Sequence, residues 1–301
     1  MTRVQAIKPL SQQLLVCLTC LFWASAAAAV SVTDDTGESV QLAQPADRII
    51  SLAPHMTELL YAAGAGDKLV GAVRYSDYPP PAREIPRVGD AHSFDVEQIL
   101  ALKPDLIIAW QSGNPAGQMR QLRHLDLILF VSEPRSLTDI PATIEKLGRL
   151  AGTSTTARAA ATEFRQRLTR LRDGYHDRPP VDVFYQIWHQ PLMTIGGEHI
   201  INDIIRLCGG RNVFADMEQL APQISTEAVL AAAPAVIIAS GTGEQRPDWL
   251  DDWHQWSQLP AVEQEQLHHI PPYLLQRHTP RILEGTARLC QILEQVRTAG
   301  K

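Results

Sequence analysis

The sequence predicts an α/β protein of two Rossmann-like lobes, each with a parallel-type sheet, joined by one long helix and leaving a ligand cleft between them. Three observations predict it. First, one phrase is written twice, 130 residues apart. Glu97-Gln-Ile-Leu-Ala-Leu-Lys-Pro104-Asp-Leu-Ile-Ile-Ala109 recurs as Glu227-Ala-Val-Leu-Ala-Ala-Ala-Pro234-Ala-Val-Ile-Ile-Ala239, with the glutamate, leucine, proline and apolar strand at identical spacing. A second echo pairs Glu58-Leu-Leu-Tyr-Ala-Ala-Gly64 with Asp203-Ile-Ile-Arg-Leu-Cys-Gly209. The period is too long for a solenoid unit, so it marks two similarly built lobes. Second, the longest uninterrupted helical pattern, residues 154–175, lies between the copies. Third, in each half short apolar strands alternate with helical segments, the pattern of a parallel sheet.

The elements follow in order. Residues 30–45 alternate weakly around the turn signal Asp34-Asp35-Thr36-Gly37 and read as two short edge strands. Residues 48–53 read as a buried strand ended by Pro54, with Thr57 as the expected cap of a helix over 58–63 that Gly64 closes. Strands follow at 69–73, 105–109 and 127–131. A helix over 138–150 carries Pro141 in its first turn, where proline is tolerated, and Gly152 breaks it. In the long helix, Ala157, Ala161, Phe164, Leu168 and Tyr175 share one face at helical spacing, and arginines take the other. The second half gives a strand at 181–188, helices at 198–207 and 227–232, and a strand at 235–239. It ends with a helix near 248–256, a strand at 266–270 and a final helix over 280–297.

The start reads as a secretory leader over residues 1–29: basic Arg3 and Lys8, a short apolar run from Leu14 to Trp23, then alanines that offer cleavage sites. A retained membrane anchor is the alternative, but the apolar run is short for a spanning helix. Lipidation at Cys17 or Cys20 is disfavoured by the bulky Val16 and Thr19 before them. The expected organisation is therefore leader 1–29, N-terminal lobe 30–137, linking helices 138–178 and C-terminal lobe 179–301, in an exported, periplasmic protein.

Leader removal leaves Cys208 and Cys290, which in an oxidising compartment most simply pair; two buried free thiols are the alternative. The full chain has 27 Lys and Arg against 33 Asp and Glu, a net charge of −6, and losing Arg3 and Lys8 makes it more acidic. With no basic stripe, nucleic acid is excluded as the partner.

Glu97 and Glu227 each fall at the second position of a helix, behind Asp95 and Ser225, both good N-caps. A carboxylate there favours the helix dipole, which explains each one alone. The second reading is that each lobe presents one exposed carboxylate to a two-fold partner carrying arginines. Aromatics gather at or beyond strand ends: Tyr75, Tyr78, Trp110, Trp188 and Tyr273. In open α/β sheets ligands bind outside the carboxyl ends of strands, so a large, flat, partly apolar ligand is indicated; each aromatic could instead plug its own lobe's core. The ten histidines show no zinc spacing, and no nucleophile elbow or phosphate loop is present, so no metal site and no catalytic residue is assigned.

Val32-Thr-Asp-Asp-Thr-Gly37, the run Arg48-Ile-Ile-Ser-Leu-Ala-Pro-His-Met-Thr-Glu58, the loop Tyr75-Ser-Asp-Tyr-Pro79 and the duplicated Glu–Pro phrase together resemble the helical-backbone periplasmic binding proteins, which serve importers of siderophores, haem and cobalamin. The likeness spans the whole mature chain and is greatest to the cobalamin-binding branch. It implies a monomeric binding protein, not an enzyme, without a cofactor of its own, that carries a corrinoid and shows little hinge motion. A haem or ferric-siderophore carrier is the alternative. It also implies that Glu97 and Glu227 dock on a dimeric ABC permease and that Cys208 pairs with Cys290. Pro54, His55, Tyr75, Trp110, Trp188, Tyr273 and Arg277 are expected to contact the ligand. Ala91 and Ala221 stand where that branch has cleft tryptophans, and Tyr273 near where it has an acidic contact.

Overall fold

In the computed structural model the described residues are 29–299 apart from His176 and Thr242, so the expected leader lies outside them except for Ala29. β1 (Val30–Thr33) and β2 (Ser39–Leu42) form an antiparallel hairpin of their own. Its turn is tied down by Asp35, which accepts from Lys146 Nζ at 2.8 Å, Glu133 N at 2.8 Å and Ser132 Oγ at 3.0 Å.

The N-terminal lobe runs β3 (Ile49–Ser51), α1 (Pro54–Ala62), β4 (Leu69–Ala72), a small hairpin β5 (Gly89–Asp90) and β6 (Ser93–Phe94), α2 (Val96–Ala101), β7 (Leu106–Trp110), α3 (Ala116–His124) and β8 (Leu129–Ser132). Two helices follow, α4 (Asp139–Leu150) and the long α5 (Ser154–Tyr175). The C-terminal lobe opens with β9 (Val181–Gln186), a hairpin of β10 (Trp188–His189) and β11 (Leu192–Met193), α6 (Ile200–Leu207) and β12 (Gly210–Asn212). It continues with α7 (Thr226–Ala232), β13 (Val236–Ala239), α8 (Pro260–Glu263), β14 (Leu267–His269), α9 (Pro272–Leu275) and α10 (Ile282–Ala299).

The sequence repeat is a repeat of topology. One sheet is ordered β4-β3-β7-β8 and the other β12-β9-β13-β14, all parallel, so each places its strands in the order second, first, third, fourth. The match extends to single backbone angles. Gly64 and Gly209 end α1 and α6 at φ +79° and +70°, in the left-handed region that glycine enters without penalty. Lys103 and Ala233, each before the repeated proline, sit at φ +47° and +44°. Proline disfavours the right-handed helical region for its predecessor, which helps both helices stop at the same place.

Alternation along the strands sorts residues into three cores. Ile49, Leu106 and Ile108 of one sheet and Val183, Tyr185, Val236 and Ile238 of the other belong to one continuous apolar cluster that also takes in Ile144, Phe164 and Leu168 of the linking helices. Ile50, Ile107 and Ala109 face a second core, and Phe184, Ile237 and Ala239 a third, on the outer faces of the two sheets. The lobes therefore share their central core. At ~1.5 Å per residue α5 spans about 33 Å, and it touches α1 of one lobe and α6 and α10 of the other.

Two expected details differ. α1 begins at Pro54, not after Thr57: proline suits the first helical position because its missing N–H would be unpaired there anyway. Thr57 lies inside the helix and is buried, its hydroxyl 3.0 Å from both Ser51 Oγ and Ser76 Oγ. The strand expected over 181–188 stops at Gln186, because the chain turns back through the β10–β11 hairpin at Gln190-Pro191.

Cys208 ends α6, Cys290 lies in α10, and a disulfide joins them with Cα atoms 4.7 Å apart.

Candidate functional site: the cleft between the lobes

A cavity of about 750 Å³ opens at the carboxyl ends of both sheets. The N-terminal lobe lines it with Pro54 and His55 from the start of α1, Tyr75 and Asp77 from the loop after β4, and Trp110 at the end of β7. The C-terminal lobe contributes Gly241 after β13, and Tyr273, Gln276 and Arg277 from α9 and its exit. In each lobe the cleft adjoins the point where strand order reverses, between first and third strands, where open α/β sheets bind ligands. Of the residues expected to contact a ligand, Pro54, His55, Tyr75, Trp110, Tyr273 and Arg277 come together here. Trp188 does not. It sits on the β10–β11 hairpin, where its indole N–H donates to Gln190 O at 2.9 Å, and it lines neither this cavity nor the one beside it.

Local chemistry explains how the lining residues are held. Asn114 is buried; its Oδ1 accepts from Trp110 N at 2.7 Å, and its Nδ2 donates to Leu52 O at 2.9 Å and Ala91 O at 3.3 Å. One amide thus fixes the ends of β3 and β7 relative to each other. Gly113 lies flat under the Trp110 ring; a Cβ there would fall 1.8 Å from a ring carbon, so no other residue fits without moving the indole. Tyr75 adopts φ +67° and is 68% exposed, an aromatic held out at the cleft's lip in a conformation that costs a non-glycine residue on the order of 1–3 kcal/mol. Its carbonyl accepts from Arg277 Nη2 at 3.2 Å.

Arg277 behaves differently from expectation. Its guanidinium is already engaged, donating to Asp77 Oδ1 at 2.7 Å and Glu58 Oε1 at 3.0 Å. Arg281 completes a bidentate pair with the same buried Glu58 at 2.6 and 3.0 Å, and lies 3.9 Å from the centre of the Tyr78 ring. These arginines come from the C-terminal lobe and their carboxylates from the N-terminal lobe, so the network brackets the two lobes at the cleft. Asp203, the counterpart of Glu58 in the repeat, crosses the other way, accepting from Leu137 N at 3.0 Å.

Three imidazoles meet beneath the cleft. The His55 ring lies 5.0 Å from Trp110 and 5.4 Å from His278, and His199 lies 6.2 Å from His278. Burial holds His55 neutral, lowered to about 3 with Arg277 adding to the effect, and lowers His199 to about 4. His278 is pushed well below the usual histidine value by burial and by its two histidine neighbours. His199 is also the N-cap of α6, its Nδ1 accepting from Ile201 N at 3.1 Å. His278, Gln276 and Arg281 were not singled out from sequence as site residues; the run Gln276-Arg277-His278 carries no periodic signal. No cluster of histidine, cysteine or carboxylate residues suited to a metal ion occurs among the described residues.

Away from the cleft, Asp95 and Ser225 cap α2 and α7, accepting from Gln98 N at 2.9 Å and Ala228 N at 3.3 Å. Glu97 and Glu227 are exposed at the second position of each helix. The Glu227 carboxyl is lowered by hydrogen bonds from its own backbone N–H and from the Ser225 hydroxyl.

Comparison with known proteins agrees with this architecture. Residues 49–274 match the periplasmic binding protein family model. The chain is 42% identical over 251 residues to the vitamin B12-binding protein of Vibrio cholerae serotype O1, covering 83% of this chain and 90% of the relative. The crystal structure of the periplasmic vitamin B12 binding protein of Vibrio cholerae superposes with a TM-score of 0.78 at 41% identity, over 84% of this chain and 98% of that one. A periplasmic heme-binding protein from Roseiflexus sp. RS-1 shares the fold, with a TM-score of 0.72 at 22% identity over 83% and 98% of the two chains. The two lobes, the shared core and these matches together place the chain in the periplasmic binding protein family.

Proposed function

We propose that this chain captures a corrinoid, cobalamin foremost, in the periplasm and delivers it to an ABC importer. The carrying observation is the cleft's lining. Tyr75 and Trp110 from one lobe face Tyr273 from the other across a wide slot, beside an imidazole that burial keeps neutral. The guanidiniums of Arg277 and Arg281 are spent on the protein's own carboxylates. Such a slot suits a large, flat ligand with apolar faces and uncharged polar edges; the third arginine of its lining, Arg83, is exposed and donates only to Asp77 O at 3.3 Å. The relatives named for vitamin B12 binding support the same ligand class.

Delivery requires a contact with the permease. Glu97 and Glu227, exposed at matching places in the two lobes, suit two arginine sites related by a two-fold axis. Export of the chain with removal of residues 1–29, and action as a monomer, complete the reading. A haem carrier is the second reading, favoured by one observation: His55 Nε2 is buried without a hydrogen-bond partner, and an imidazole nitrogen is an iron ligand. The two readings separate when purified protein is mixed with cyanocobalamin or haemin and passed over a desalting column. Co-elution of the corrinoid absorbance with the protein supports the first, and co-elution of haemin alone overturns it.

A further inference from the structure

A cavity of about 180 Å³ lies within the C-terminal lobe and shares no lining residue with the cleft between the lobes. It forms where the β10–β11 hairpin meets a short 3₁₀ helix (Asp248–Gln255). That helix and the residue after it carry three tryptophans. Trp253 is an ordinary core residue. It is buried, lies edge-on to Phe184 with ring centres 5.7 Å apart, and donates its indole N–H to Gln186 Oε1 at 2.8 Å. Trp249 and Trp256 are only half-buried and line the cavity. His189 of the hairpin also lines it and stacks on Trp249, with ring centres 5.2 Å apart and planes 8° apart. Its Nδ1 is buried and has no hydrogen-bond partner among the described residues. Buried polar atoms are nearly always paired in native proteins, so this nitrogen calls for a partner brought from outside the chain.

Charge selects that partner. No lysine or arginine lines the cavity, whereas Asp252 does. The neighbouring Asp251 is neutralised by Arg246, which donates to its two oxygens at 2.6 and 3.0 Å. Asp252 is exposed, and its carboxylate forms no ion pair among the described residues; Gln255 Nε2 donates to its backbone carbonyl instead, at 2.8 Å. The lining residue Thr226 is followed by another exposed carboxylate, Glu227. Indole rings attract cations through their quadrupole. A carboxylate pairs with them, and an unprotonated imidazole nitrogen accepts an N–H. A quaternary ammonium would answer the first two features and leave His189 Nδ1 unpaired. We propose that this cavity is a second binding site, for an organic cation that carries N–H donors: a guanidinium or primary ammonium group. Trp249 and Trp256 supply the aromatic walls, Asp252 the counter-charge and His189 Nδ1 the acceptor. The space admits such a head group and is too small for the large, flat ligand suited to the cleft.

The test is titration of the purified mature protein with methylguanidinium chloride and with its neutral isostere N-methylurea at constant ionic strength. Binding is followed by nitrogen–proton correlation NMR of the indole N–H groups. Methylguanidinium should shift the Trp249 and Trp256 signals along a saturable curve and bind at least ~5-fold more tightly than methylurea. Asp252→Asn and Trp256→Leu should each weaken it by about 3- to 10-fold. Asp252 is exposed, so its variant reports even if a change at Trp256 disturbs folding. An arginine blocked at both ends tells the sources of the cation apart. If it binds as tightly as methylguanidinium, the site accepts a protein's side chain; if it is shut out, the site takes free compounds. Cyanocobalamin affinity should stay within about twofold in Asp252→Asn, and a parallel loss would overturn the site as a separate one. Shifts that grow without saturation, an equal response to methylurea, or an Asp252→Asn protein that binds as well as the unmodified one overturn the proposal.

Discussion

Arg281 closes a bidentate ion pair on Glu58 across the boundary between the lobes, with Nη2 at 2.6 Å from Oε1 and Nε at 3.0 Å from Oε2. The Glu58 side chain is 3% exposed and that of Arg281 17%. Removing Glu58 leaves Arg281 without its ionic partner, while Arg277 keeps Asp77, and stranding a largely buried charge typically costs about 3–5 kcal/mol. Glu58→Ala should therefore lower unfolding stability in urea by roughly that amount. Glu58→Ala combined with Arg281→Ala should cost less than the sum of the two single changes, the mark of a direct pair. Strict additivity would show that the pair carries no coupling.

The same bracket bears on motion. Two lobes that share a core and are tied by Glu58, Asp77, Arg277 and Arg281 should move little on binding. Small-angle scattering with and without cyanocobalamin should give radii of gyration within about 1 Å of each other, as in pre-organised complexes. A compaction of several ångströms would show that the lobes hinge.

The disulfide closes a loop with a sequence separation of 82 between Cys208 and Cys290. The chain-entropy relation gives about 4.5 kcal/mol for a loop of this length. Cys208→Ala with Cys290→Ala should lower stability by up to that amount in chemical denaturation. Corrinoid affinity should be unchanged, because neither cysteine lines the cleft.

Acid should destabilise the fold through the imidazole cluster. His55 and His199 are depressed from an ordinary 6.5 to about 3 and about 4. Above pH 6.5 both are neutral whether folded or unfolded, so their full contribution is present. As pH falls below 6.5 the unfolded chain takes up protons that the folded chain refuses. Stability then drops by about 1.4 kcal/mol per pH unit for each histidine, until its folded value is passed. Urea midpoints measured from pH 7 to pH 4 should fall steeply, and His55→Asn should flatten the slope. An unchanged slope in that variant would show that His55 titrates normally.

Glu97→Ala with Glu227→Ala should abolish corrinoid uptake in a permease-reconstituted transport assay and leave ligand affinity intact. Both residues stand clear of the cleft, so loss of affinity would contradict the docking role.

Much of the fold was legible because the repeat is written locally. Cap, glutamate, proline and strand fall within 15 residues in each copy, and the structure keeps them down to the left-handed residue before each proline. Thr57 misled as a cap because proline at the first helical position serves without a side-chain cap. Trp188 misled because a tight hairpin is hard to tell from the end of a strand that runs straight into it. The cleft aromatics were legible as residues beyond strand ends. The partners of Arg277 were not: Glu58 is 219 residues away in sequence, and nothing periodic links them. His278 and Gln276 stayed hidden for the same reason, since their role comes from the meeting of the lobes.

The assignment of ligand is tested most directly by isothermal titration of the purified mature protein against cyanocobalamin, haemin and a ferric hydroxamate siderophore under one buffer. A corrinoid carrier gives a saturable one-to-one isotherm with cyanocobalamin at micromolar affinity or tighter, on the order of −8 kcal/mol or more favourable, and none with the other two. Absence of heat and of saturation with cyanocobalamin, alongside a clear isotherm with haemin or the siderophore, would contradict it.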